Sequence, residues 1–142
     1  MATHAGGAPE RVADSLGLPL WVSGRDNPAT LADCAVAITG CEALIAQTGS
    51  VLATTHSSGG RALSVLPPHH IVVAMPDQLV PDLPAASALL AARYGTSGYP
   101  SFVSFISGAS RTGDIERTLV LGAHGPRRLT IVLIFPEPIP TS

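Results

Sequence analysis

Hydrophobic residues fall into short runs along this chain, cut apart by glycine, proline and small polar residues, and each run predicts an element. Residues 70–75, His-Ile-Val-Val-Ala-Met, form a β-branched stretch between Pro67-Pro68 and Pro76. Prolines at both ends and no polar alternation predict a strand buried on both faces. Residues 101–106 read as another strand, and 129–135 as a third buried strand stopped by Pro136, Pro138 and Pro140. Residues 42–46 and 50–54 are apolar runs on either side of Gln47-Thr48-Gly49, which predicts a hairpin or a strand with a tight bend. The best helix runs over 84–94, with Pro84 in its first turn, then Ala and Leu, then Gly95 as a stop. A short helix is expected over 114–121, with Ile115 and Leu119 on one face and Gly122 ending it. Another is expected over 30–36, and a single helical turn around 10–16. Residues 1–20 show no sustained period and read as a loose lead-in, leaving 21–142 as one domain. The second half therefore alternates strand, helix, strand, helix, strand. That order argues for parallel strands joined by right-handed crossovers, an α/β layer fold.

Composition narrows the function. The 142 residues suffice for one domain with a real core, and 46% hydrophobic against 13% charged residues excludes a disordered chain. The longest strongly apolar runs, such as Ile131 to Phe135, are far short of the roughly 20 residues a bilayer span needs, so no membrane insertion is expected. The opening Met-Ala-Thr-His lacks the basic and apolar regions of a signal peptide, so the expected address is cytoplasmic. Net charge is −2, and the eight basic residues are all Arg, scattered rather than striped, which argues against nucleic acid. Without lysine there is no side-chain Schiff base and no Walker-A phosphate loop. Cys34 and Cys41 are too few for an iron–sulfur cluster or a four-cysteine zinc site, and both are expected to be buried small hydrophobes. No cofactor and no metal are expected.

The densest polar cluster is Ser107-Gly108-Ala109-Ser110-Arg111-Thr112-Gly113-Asp114-Ile115-Glu116. Following a strand and opening a helix, it should sit at the carboxyl edge of the sheet, where open α/β folds bind ligands. Free N–H groups, hydroxyls and Arg111 there could hold a carboxylate or phosphate. The other reading is helix capping by Ser110 or Thr112, with Asp114 and Glu116 favouring the dipole and partly cancelling an anion site. Gly122-Ala123-His124-Gly125-Pro126 places a histidine between glycines, able to reach a pocket or to sit in a plain turn. His69 and His70 enter a strand on opposite faces, so only one can serve any site, and no recognisable spacing completes a metal set. Thr48 and Gly49 in the 47–50 turn, and Arg61 after Gly59-Gly60, are further polar spots on loops. The candidate ligand-binding set is therefore Thr48, Gly49, Arg61, His70, Ser107, Gly108, Ser110, Arg111, Thr112, Asp114, Glu116 and His124.

These motifs together resemble the lactate-utilisation protein C family, built on the LUD domain. The 107–116 segment is similar to that family's G-P-S-R-T-A-D-I-E, and 122–126 to its G-V-H-G-P. Leu66-Pro67 with His70-Ile71-Val72-Val73 matches as well, and Ala46-Gln47-Thr48-Gly49-Ser50 looks like A-E-T-G-T. The resemblance implies a Rossmann-like, mostly parallel sheet with flanking helices, of the sort shared by sugar-phosphate isomerases and coenzyme A transferases. It also implies an accessory subunit of a bacterial L-lactate oxidation system. Such a subunit would bind a small anionic metabolite or a partner subunit, the iron–sulfur chemistry residing on other subunits. An alternative, by fold analogy alone, is an autonomous enzyme on a sugar phosphate or acyl–coenzyme A. Gln47 departs from the family's acid, Ala109 and Gly113 from its Pro and Ala, and the stretch before Trp21 is shorter than usual. A truncated sheet would expose an edge that a second copy could cover, so a homo-oligomer is expected.

Overall fold

A computed structural model describes residues 2–4, 14–15, 17, 21–23, 26–113, 119–121 and 125–135. Its first layer is a five-stranded, wholly parallel sheet. It comprises β1 (Ala2–His4), β2 (Trp21–Ser23), β3 (Val36–Thr39), β6 (His69–Ala74) and β11 (Arg128–Leu133), in the order β11-β6-β3-β1-β2. The second layer is a mixed four-stranded sheet, in the order β7-β4-β5-β8, of β4 (Ala43–Ile45), β5 (Ser50–Thr54), β7 (Leu79–Val80) and β8 (Val103–Ile106). A separate two-stranded ribbon pairs β9 (Arg111–Gly113) with β10 (Leu119–Leu121), antiparallel. Beside the strands lie helices α1 (Thr55–Ser58), α2 (Arg61–Val65) and α3 (Leu83–Tyr94), with 3-10 helices at Pro28–Asp33 and Pro76–Gln78. Parallel strands with flanking helices make this an α/β fold, as the strand and helix pattern predicts.

Local chemistry accounts for several elements. The 42–54 region is a hairpin: β4 and β5 pair antiparallel, and Gly49 takes the positive φ of 64° that the turn requires. Helix α3 begins where Asp82 accepts from the Ala85 N–H at 2.8 Å, with Pro84 in the first turn. The 30–36 region is instead a 3-10 helix at Pro28–Asp33, capped by Asn27 accepting from the Ala29 N–H, and β3 starts at Val36. Ala2–His4, in the stretch expected to be loose, supplies a strand between β3 and β2, while most of the turn expected near 10–16 lies outside the described residues.

Three expectations fail for physical reasons. The end of the helix expected over 114–121 is strand β10, and 114–118 lie outside the described residues. So short a helix with two apolar positions is marginal alone, whereas an antiparallel partner satisfies its backbone groups directly. Strand β8 does not join the parallel set; it pairs antiparallel with β5. Strand β11 is not buried but lies at the sheet edge, with Ile131, Val132 and Leu133 41–42% exposed. An apolar run reports affinity for a core and does not say whether neighbours arrive on both sides.

Three apolar clusters close the layers. Cys41, Leu44, Val51, Val72 and Ala74, joined by Ile106 and Leu129, weld the mixed sheet to the parallel one. On the mixed sheet's other face, Ala43, Ile45 and Leu52 meet Ala86 and Leu90 of α3. Leu63 of α2 packs with Leu31 and Ala37 on the parallel sheet, and half-buried Cys34 lies beside them, less enclosed than Cys41.

Candidate functional site

The 107–110 loop is held by its own backbone. Gly108 adopts φ 146°, a conformation only glycine takes without strain, and the Ser110 N–H donates to the Pro126 carbonyl at 2.8 Å. Gly125, at φ 149°, comes so close that an added Cβ would stand 3.3 Å from the Ser110 Cβ. The Pro68 carbonyl in turn accepts from the Arg127 and Arg128 N–H groups at 2.8 and 3.2 Å. Two stretches far apart in sequence are thereby pressed together beside the entry to β6.

A cleft of about 380 Å³ opens where they meet. Val65, Phe102, Phe105, Ile106 and Pro126 line it together with Ser64, Ser104, Ser107, Ser110 and Arg111. Among the described lining residues Arg111 is the charged group and no carboxylate faces it. Of the candidate set, Ser107, Gly108, Ser110 and Arg111 line this cleft. Thr48 reaches it indirectly: its hydroxyl donates to the Ser50 Oγ at 2.8 Å, which lies 2.8 Å from the Ser107 Oγ. Gly49 shapes the turn that positions Thr48. Arg61 is exposed at the start of α2, whose last residues, Ser64 and Val65, reach the cleft. Thr112 lies in β9, while Asp114, Glu116 and His124 lie outside the described residues.

The cleft is not at the carboxyl edge of the parallel sheet. Ser64 and Val65 precede β6, and Gly125 and Pro126 precede β11, so it lies at the amino ends of these strands. The reason is β8: as a member of the mixed sheet, it delivers the 107–110 loop to the opposite end from a parallel strand. Nor does Arg111 open a helix, since it begins strand β9, which removes the reading of Ser110 or Thr112 as a helix cap. Sequence reasoning missed Ser64, Phe102, Ser104 and Phe105; residues 102–107, Phe-Val-Ser-Phe-Ile-Ser, carry no period-2 polar pattern that would mark them.

His70 is held elsewhere. It is fully buried in β6, its Nε2 2.8 Å from the Thr39 Oγ1, and its Nδ1 has no partner. Burial, aided by the charge of neighbouring His69, brings its pKa down to about 4, so it is neutral. His69 points to the opposite face and meets the Thr130 hydroxyl at 2.9 Å. Among the described residues no group of three His, Cys, Asp or Glu is placed to hold a metal ion.

A second polar centre was not anticipated. Glu42, 4% exposed just beyond β3, accepts from the Thr54 hydroxyl at 2.6 Å, the Tyr94 hydroxyl at 2.8 Å and the Arg93 guanidinium. Burial pushes its carboxyl up, but these hydrogen bonds and the charge of Arg93 outweigh that and hold it below the ordinary carboxylate range. His56 stacks on Tyr94, ring centres 5.6 Å apart. Beside Glu42, burial first and the carboxylate second push the Cys41 thiol up to about 12, which keeps it protonated and poorly nucleophilic.

The 107–111 and 125–126 segments meet around one cleft, and the LUD domain matches residues 21–134. The chain belongs to the LUD domain family. It is 36% identical over 115 residues to lactate utilization protein C of Deinococcus radiodurans, covering 78% of this chain and 53% of that one. Against lactate utilization protein C of Bacillus subtilis it is 30% identical over 125 residues, 84% of this chain and 52% of that one. The chain thus spans about half the length of these curated relatives. The crystal structure of a DUF162 family protein from Deinococcus radiodurans superimposes with a TM-score of 0.59 at 25% identity, over 95% of this chain and 87% of that one. This LUD chain has, among its described residues, no helix long and apolar enough to cross a membrane.

Proposed function

We propose that this LUD chain serves a lactate-utilisation system in the cytoplasm as an accessory subunit, binding a small organic anion through Arg111 and carrying no redox centre. The observation that carries this reading is the convergence of Ser107, Ser110 and Arg111 on a cleft whose described lining has one cation and no carboxylate. In such a site the guanidinium forms charge-assisted hydrogen bonds to a carboxylate's oxygens, with the polar serines alongside. The names of its relatives support the lactate connection. Partner subunits holding iron–sulfur clusters fit the implied system, and the exposed Ile131, Val132 and Leu133 of β11 support a homo-oligomer.

Calorimetric titration with lactate and pyruvate tests the anion site. Arg111→Ala should weaken binding about tenfold to a hundredfold while the fold survives, since a hydrogen bond to a charged group contributes roughly 1.5–3 kcal/mol. Unchanged affinity with a lowered melting temperature would assign Arg111 to holding the β9 ribbon and end the anion-site reading.

A further inference from the structure

The register of β8 sorts its side chains between the two faces of the mixed sheet. Ile106 stands opposite Val51 and Ser104 opposite Ala53, while Phe105 stands opposite Leu52. Val51 and Ile106 pack with Val72 and Leu129 of the parallel sheet, whereas Leu52 packs with Ala86 and Leu90 of α3. Side chains two apart on a strand share a face. Ser104 therefore lies on the face turned towards the parallel sheet, two positions from Ile106, and both residues line the cleft. Its cross-strand neighbour Ala53 is small as well, so this pair fills less of the space between the sheets than Ile106 and Val51 do.

The other serines of the cleft are already engaged. Ser64 donates its hydroxyl to the Arg61 carbonyl at 2.9 Å, Ser107 shares a hydrogen bond of 2.8 Å with Ser50, and Ser110 has a partner as well. The half-buried Ser104 hydroxyl has none among the described residues, and Arg111 forms no ion pair among them. One donor and two lone pairs at Ser104 are thus left for whatever enters the cleft. We propose that Ser104 is its specificity-determining residue, meeting the oxygen on carbon 2 of a small 2-hydroxy or 2-oxo acid whose carboxylate lies on Arg111. This rests on the anion-site reading above and adds what the ligand must carry besides its carboxylate. A serine hydroxyl donates to a 2-oxo oxygen and accepts from a 2-hydroxyl, so it holds either form. A plain methylene at carbon 2 gives it no partner, and a site that hydrogen-bonds an oxygen discriminates against the analogue lacking it.

The test is calorimetric titration of lactate, pyruvate and propionate, the last without an oxygen on carbon 2, into the intact chain as wild type, Ser104→Ala and Arg111→Ala. Lactate and pyruvate should bind about threefold to tenfold tighter than propionate, the worth of one hydrogen bond. Ser104→Ala should erase that margin, while Arg111→Ala should weaken all three acids alike. If Ser104→Ala does not fold, Ser104→Cys, whose thiol is a weak donor, should shrink the margin instead. Equal wild-type affinities for lactate and propionate would overturn the inference. So would a margin that survives the loss of the Ser104 hydroxyl, or a loss of affinity that propionate shares in full. In each of these cases, binding that still depends on Arg111 leaves the anion site standing. Binding of none of the acids, or binding indifferent to Arg111→Ala, would overturn both.

Discussion

Two buried titratable side chains give this protein its expected response to acid, in separate pH windows. His70 is neutral in the fold, with its pKa lowered from 6.5 to about 4. The unfolded chain therefore binds its proton first, so the stability His70 preserves is present above pH 6.5 and is lost as pH falls towards 4. The loss amounts to ~3 kcal/mol, an order-of-magnitude figure. Thermal melts over that window should slope for wild type and flatten for His70→Leu; equal slopes would show that another group titrates. Glu42 acts lower down, its pKa lying below the usual value near 4.5. Its contribution is intact above that value and is lost as pH falls through the depressed pKa. Glu42→Gln should remove this acid sensitivity and destabilise the fold at neutral pH by about 1–3 kcal/mol, because Thr54 and Tyr94 lose a charged acceptor inside the protein. A neutral-pH melting temperature equal to wild type would show that these hydroxyls find other partners. Neither role was legible in the sequence: Glu42 stands at the head of an apolar run, and its partners Arg93 and Tyr94 are half the domain away.

At the scale of elements, glycine decides how the two motif segments meet. Gly125 both adopts a positive φ and lies against Ser110, so Gly125→Ala meets backbone strain and a close contact together. It should cost about 1–3 kcal/mol of stability, and it should weaken ligand binding by displacing Ser110 and Arg111. Gly108→Ala meets the strain but has open space around the new methyl. Denaturant melts of both variants distinguish the contributions: the larger loss is expected at Gly125, and equal losses would mean that the contact with Ser110 yields freely. The hairpin at β4–β5 and helix α3 were readable because their signals are local, a glycine turn between apolar runs and a proline in the first turn before an alanine-rich stretch. Strand β10 was not, since Leu119 to Leu121 suits a helix face and a strand equally until Arg111 to Gly113 pairs with it.

The whole molecule adds one consequence that no single element carries. Among the described strands β11 ends the parallel sheet, with Ile131, Val132 and Leu133 exposed, and an open apolar edge invites a second strand. If a second copy covers it, light scattering at micromolar concentration should give a multiple of 14.5 kDa, and Val132→Lys should bring the mass down to a single chain. A wild-type mass of one chain would exclude association through this edge.

The amino-acid sequence by itself determined the α/β class, the hairpin, the long helix and strand β6, because periodicity, proline and glycine act over a few residues. It also marked Ser107, Ser110 and Arg111 as a polar centre. Which sheet each strand joins was decided only in three dimensions, since pairing partners are chosen by apolar faces such as Val72 against Leu44 and Val51, contacts between distant segments. That choice sent β8 into the mixed sheet and left β11 at an edge. It also carried the candidate site from the carboxyl end of the parallel strands to their amino end, where Pro126 and Ser110 share a hydrogen bond.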